Sequence, residues 1–259
     1  MKSNYRYIVK AFMAMAVIAG TTSCDDFLDR EPMSSISPET YYSTAAQLEA
    51  NLNDEYPNVL PSFGQWTYGI FGEDKGTDNQ IEVNANDRYT QDRWKVPHSE
   101  SDNWKFERIY RINFFLSEAL PKFGEDMSGS QNTISGSVAT IKHYIGEMYF
   151  LRAYEYFKKL QLFGDFPIIN QPLADEMEAL REASKRFPRN EVARFIISDL
   201  DKAYAYMSDV DMATTRINKD AAMLVKSRVA LFEATWLQNF KGTAFVPGGE
   251  GWPGASLHN

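Results

Sequence analysis

The side chains able to do covalent chemistry are few. There is one cysteine, Cys24, and there are three histidines, His98, His143 and His258. None of the histidines stands at metal-ligand spacing, and no His-Glu-x-x-His run occurs. A phosphate loop and a Gly-x-Ser-x-Gly elbow are equally missing. Two carboxylates would suffice for glycoside hydrolysis, but among 35 acids no spacing singles out a pair. The sequence therefore reads as non-enzymatic, with no metal and no cofactor. Recognition chemistry is better represented. Between residues 61 and 100, Trp66, Tyr68, Phe71, Tyr89 and Trp94 are interleaved with Asp78, Asn86, Asp87, Arg88 and Arg93. Aromatic faces pack against the C–H surfaces of sugars, and polar side chains take their hydroxyls. Trp66, Asp78, Arg88, Tyr89, Arg93 and Trp94 are the candidate ligand-binding residues, with Arg93-Trp94 the leading pair. The competing reading is that these rings pin a long loop to its scaffold.

Cys24 has a different context. Lys2, Arg6 and Lys10 precede a ten-residue uncharged stretch, Ala11 to Gly20, and Thr21-Thr22-Ser23 lead into the cysteine. A basic start, a short apolar run and small residues before a cut site describe a signal peptide. Ten residues at about 1.5 Å rise fall short of a ~30 Å hydrocarbon core. Residues 1–23 are thus expected to be removed, with Cys24 acylated as in a bacterial lipoprotein, although Thr21 sits where a leucine is usual. Several acyl chains, at about 0.8 kcal/mol per buried CH2, anchor firmly. Residues 24–37 then form a tether, starting with the acids Asp25 and Asp26. With one cysteine, no disulfide can form within this chain. Loss of three basic residues takes the formal charge from −8 to −11, which disfavours nucleic acid and anionic lipid as partners.

The elements that must hold these residues are helical. The chain is 44% hydrophobic and 24% charged, enough for a real core. Ser37-Pro38-Glu39 offers a helix start, and Thr44 to Gln47 a capping box followed by Leu48, Leu52 and Tyr56, with Pro57 as the stop. Asp102 opens a helix carrying Ile109, Ile112, Leu116 and Ala119, which Pro121 closes. A polar loop spans 124–137. A strong helix follows over 138–163, with Ile145, Tyr149, Ala153, Tyr156, Leu160 and Phe163 on one stripe. Gly164-Asp165 ends it, and 166–169 reads as extended. Residues 172–185 are acidic and partly helical. Two more helices cover about 190–207 and 219–240, the last with Ala222, Val225, Val229, Phe232, Trp236 and Phe240 in register. Glu147 and Arg152 stand five apart, off a shared helical face, and read as buried pairing between helices; Arg152 and Asp165 are candidate braces for the helix end. Alternating strand patterns are nearly absent. The class is all-α, either stacked helix hairpins of the tetratricopeptide kind or a plain bundle, interrupted by the irregular aromatic segment 61–100.

Several blocks, in order, resemble the SusD/RagB family of outer-membrane lipoproteins. Cys24-Asp25-Asp26-Phe27-Leu28-Asp29 is similar to the family's start after its lipidation site, and Pro38-Glu39-Thr40-Tyr41-Tyr42 to the segment that follows. Tyr110-Arg111-Ile112-Asn113 fits a later helix. The most specific block is Gly146 to Tyr154 (GEMYFLRAY), followed by Leu162-Phe163-Gly164-Asp165-Phe166-Pro167. Pro188-Arg189-Asn190-Glu191, Asp199 to Ala203, Arg216 to Lys219 and Lys226 to Leu231 continue the match.

The resemblance implies a tetratricopeptide-like scaffold over residues 38–259. It also implies an oligosaccharide ligand held against a SusC-like TonB-dependent transporter, on the cell surface and without catalysis. A peptide-binding member, or a purely structural lid of the transporter, are the alternatives it leaves open. Family members are about twice this length, so the chain reads as the N-terminal half of such a protein.

Overall fold

Thr44 shows how local the instructions for this fold are. Its hydroxyl accepts from the Gln47 N–H at 3.3 Å, and the Gln47 side chain accepts from the Thr44 N–H at 3.1 Å. That reciprocal pair opens α1 (Ala45–Val59). The computed structural model describes residues 41–61, 103–124, 126–208 and 215–256. The described helices continue with α2 (Glu107–Phe123), α3 (Val138–Phe163), the short α4 (Met177–Ala183), α5 (Arg189–Tyr206) and α6 (Lys219–Asn239). A 3-10 turn, Pro253–Ser256, closes the described chain. Extended pairing among the described residues is limited to two isolated bridges, Thr44 with Ser135 and Phe166 with Phe187. The all-α expectation holds.

α3 is the axis of the unit that begins at Tyr42. α1 and α2 pack on it from one side, α5 from another, and α6 stacks outward on α5. The sequence shows one apolar stripe on α3, but 17 of its 26 residues are buried. Neighbours on several sides explain why polar positions such as Glu147 and Arg152 are buried too. Gly146 permits a close approach between α3 and the end of α5: a Cβ there would lie 2.8 Å from the Met207 nitrogen and 2.9 Å from the Ala203 oxygen. The core rings Phe115, Phe123, Tyr156 and Phe166 are almost fully buried, each contributing about 1.5–3 kcal/mol by transfer from water.

Three predicted boundaries need correction. Pro57 and Pro121 do not stop their helices; both lie inside them, in the last turn. A proline there removes only one late hydrogen bond. Val59 and Phe123 just beyond are 1% and 0% exposed, so burial carries the final turn. The second helix starts at Glu107 behind Phe106, later than an Asp102 cap requires. Trp104 and Phe106 are instead drawn onto Phe166, at ring separations of 4.9 and 5.2 Å. The start indicated by Ser37-Pro38-Glu39 lies outside the described residues.

Candidate functional site

The residues singled out in sequence as a ligand platform, Trp66, Asp78, Arg88, Tyr89, Arg93 and Trp94, all lie outside the described residues, as does Cys24. Asn86 and Asp87 do as well. What the structure places are the buried charges of the helical scaffold and one aromatic cleft at its edge.

The charges are structural. Arg152 reaches from α3 to α5, where its Nε and Nη2 donate to the two Asp199 oxygens at 2.6 and 2.8 Å. Its Nη1 donates to Asn113 Oδ1 at 2.9 Å and to the Asn170 carbonyl at 3.2 Å. Burial, the largest single influence, opposes the Arg152 charge, but the hydrogen bonds and the charge of Asp199, helped by Tyr149 and Tyr156, together outweigh it and hold the guanidinium above its usual range. Glu147 is 0% exposed and accepts from Arg216 Nε and Nη2 at 2.8 and 2.6 Å, and from the Tyr56 hydroxyl at 2.8 Å. Burial first, and the Glu147 charge second, push the Tyr56 hydroxyl well above its ordinary range. His143 Nδ1 accepts from the Ser208 N–H, which leaves the proton on Nε2, facing the Ile217 carbonyl and Glu147 at 3.0 Å each. Glu147 and Arg152 thus pair with different partners outside their own helix, as their spacing implies. No cluster of histidine, cysteine and carboxylate residues suited to a metal occurs among the described residues.

The cleft forms where α3 ends. Gly164 turns the chain with φ +68°, a conformation favouring glycine. Asp165 then braces two elements. One oxygen accepts from the Arg189 N–H at the start of α5 at 2.9 Å, and the other from Trp252 Nε1 at 2.9 Å. Phe166 and Phe187 exchange backbone hydrogen bonds at 3.1 Å, fixing the strap that carries Arg186. Arg189 is 4% exposed and anchored by Glu233 of α6, which accepts from its Nε and Nη2 at 3.0–3.1 Å. Its guanidinium lies 4.1 Å from the centre of the Trp236 ring. Trp236 Nε1 in turn donates to the Phe245 carbonyl at 3.1 Å.

The result is a cleft of about 650 Å3, walled by Phe163, Trp236, Phe245 and Trp252, with Gln161, Asp165, Arg186 and Arg189 as its polar lining. That volume falls within the roughly 300–1,000 Å3 common for small-molecule sites. The arrangement offers apolar ring surface and hydrogen-bond donors. Of the two braces expected from the sequence, Asp165 sits in this cleft and Arg152 at the bundle centre. The register of Trp236 suits a core stripe, and Phe245 and Trp252 stand in a Gly- and Pro-rich tail, so sequence reasoning misses all three as cleft residues. The signal that could have found them is the joint occurrence of those rings with Arg186 and Arg189 around a glycine stop.

The fold and its sequence have known relatives. A family model described as starch-binding and associating with the outer membrane, SusD-like, matches residues 26–231. SusD-like protein P25 of Formosa agariphila is 25% identical over 233 residues, covering 83% of this chain and 41% of that protein. SusD-like protein P2 of the same organism is 25% identical over 253 residues, 93% of this chain and 46% of that protein. A crystal structure of a SusD-like protein from Bacteroides fragilis superposes with a TM-score of 0.50 at 18% identity, covering 82% of this chain and 40% of the other. This chain therefore spans less than half the length of those relatives. With the tetratricopeptide-like helical scaffold and a family match over most of its length, the chain belongs to the SusD-like family.

Proposed function

We propose that this protein is a surface-exposed, lipid-anchored receptor that binds oligosaccharides and delivers them to a SusC-like TonB-dependent transporter in the outer membrane. The observation that carries this reading is the family match, which begins at residue 26, directly after the Cys24-Asp25 start expected of an acylated lipoprotein. Capture is by equilibrium binding to a preformed surface, followed by capping of the pore, with no bond made or broken. Residues 1–23 act as the signal peptide, 24–37 as the lipidated tether and 38–259 as the SusD-like helical part. Within that part, the 61–100 segment is the proposed ligand platform, through Trp66, Asp78, Arg88, Tyr89, Arg93 and Trp94. The anchor is the acylated Cys24; among the described residues no helix is long and apolar enough to cross a membrane.

Isothermal titration of the full chain with a glycan panel and a peptide mixture tests the ligand class. Heat with one glycan family is expected. Heat with peptides alone would transfer the reading to a peptide receptor. Co-purification with a transporter but no ligand heat would make the protein a structural lid. Loss of membrane partitioning and of palmitate labelling in Cys24→Ala is the expected result for the anchor.

A further inference from the structure

We infer that the aromatic cleft between the end of α3 and the end of α6 is a second carbohydrate site, taking a neutral pyranoside unit of an oligosaccharide. The inference rests on the glycan-receptor reading but not on the 61–100 segment.

Three features of the cleft point to this ligand. The first is an unspent donor. Arg189 commits Nε and Nη2 to Glu233, whereas Nη1 has no hydrogen-bond partner among the described residues. A Cβ built on Gly164 would stand 3.5 Å from that nitrogen. The absence of a side chain at Gly164 keeps the space beside Nη1 open to a ligand oxygen. A guanidinium that is 4% exposed and rigidly held, with one N–H pair left for the cleft, is a directional donor.

The second feature is the ring surface. Phe245 is 62% exposed, and with Trp252 it supplies the apolar faces that sugar C–H surfaces require, the Trp236 ring being covered by the Arg189 guanidinium at 4.1 Å and by Phe240. Both indoles are fixed by their own Nε1 hydrogen bonds, Trp236 to Phe245 and Trp252 to Asp165. Rings locked before binding reduce the ordering cost of association.

The third feature is charge. Arg189 is neutralised by Glu233. Both Asp165 oxygens already accept hydrogen bonds. Arg186 is exposed, lies 4.7 Å from the Trp104 ring centre, and has no carboxylate partner among the described residues. Two arginines balance two acids, in a chain of net charge −8. A site with donors to spare but no net charge suits hydroxyl and ring oxygens better than an anion.

The test uses the full chain and neutral oligosaccharides of glucan, mannan and xylan, followed by tryptophan emission and saturation-transfer NMR. Phe245→Ala with Arg186→Ala removes exposed cleft groups only, and circular dichroism checks that the helices are retained. In a Trp94→Ala background, residual binding is expected to weaken a further tenfold or so when the cleft pair is added. Glycan binding left unchanged by the cleft substitutions overturns the cleft alone. A folded wild-type chain that binds none of these sugars removes the glycan-receptor reading and the cleft with it.

Discussion

Arg152 and Arg189 are two buried arginines used in opposite ways. Each holds a carboxylate on a neighbouring helix, and both are 4% exposed or less. At the centre of the bundle, Arg152 spends all three nitrogens on Asp199, Asn113 and Asn170. At the edge, Arg189 spends two on Glu233 and keeps the third beside a glycine, on the wall of an aromatic cleft. A guanidinium with all three nitrogens engaged is a structural strut. One with a donor left over, fixed and facing a cleft, can also meet a ligand. The bundle centre holds the shape, and the edge carries the proposed cleft.

The contrast is broken most severely at the centre. Arg152→Met leaves Asp199, 0% exposed, with only the half-exposed Lys202 ammonium at 3.8 Å, and is expected to cost about 3–5 kcal/mol. A shift of the urea midpoint measures this, and adding Asp199→Leu should return much of the loss. A small shift in Arg152→Met would show that the strut is dispensable. Gly146→Ala comes next. Its Cβ would collide with the α5 backbone at 2.8–2.9 Å, and overpacking of this kind costs about 1–3 kcal/mol. Thermal unfolding reads it; an unchanged Tm would mean that α3 and α5 separate easily.

Local signals have smaller effects. Thr44→Ala removes the hydroxyl half of the α1 capping box and should cost about 1 kcal/mol, seen as a modest drop in the same unfolding midpoint. The smallest expected change concerns Glu55. Burial raises its pKa, with Arg111 opposing. The folded state therefore holds this proton more tightly than the unfolded chain, and stability falls as pH rises from about 4.5 through the raised folded value. Among the described residues Glu55 Oε2 is buried without a hydrogen-bond partner. Glu55→Gln should therefore raise stability slightly at neutral pH and have little effect in mild acid, below the unfolded carboxyl's range. Urea titrations under the two conditions check this, and a loss at neutral pH would show that the Arg111 pair outweighs burial.

Much of the scaffold was legible because its signals are local. The Thr44 box and the Gly164 stop each act within four residues. Pro57 and Pro121 misled because the burial of Val59 and Phe123, a tertiary effect, extends each helix past its proline. Trp104 and Phe106 delayed α2 for a similar reason, since their partners Phe163 and Phe166 are remote in the chain. The cleft was hidden more deeply. Trp236 has the register of a core residue, and only the return of Phe245 and Trp252 from a Gly- and Pro-rich tail turns it into a wall. No spacing rule on one segment can show that Arg189 has a donor to spare, because that depends on Glu233 and on the missing Cβ of Gly164.

The central claim is that this SusD-like protein binds glycans. A carbohydrate array probed with the full chain, beside Trp94→Ala, tests it most directly. Retention by one glycan class, weakened roughly tenfold or more in Trp94→Ala, is the expected result. A folded chain that is retained by no glycan, either alone or with its transporter, would contradict it.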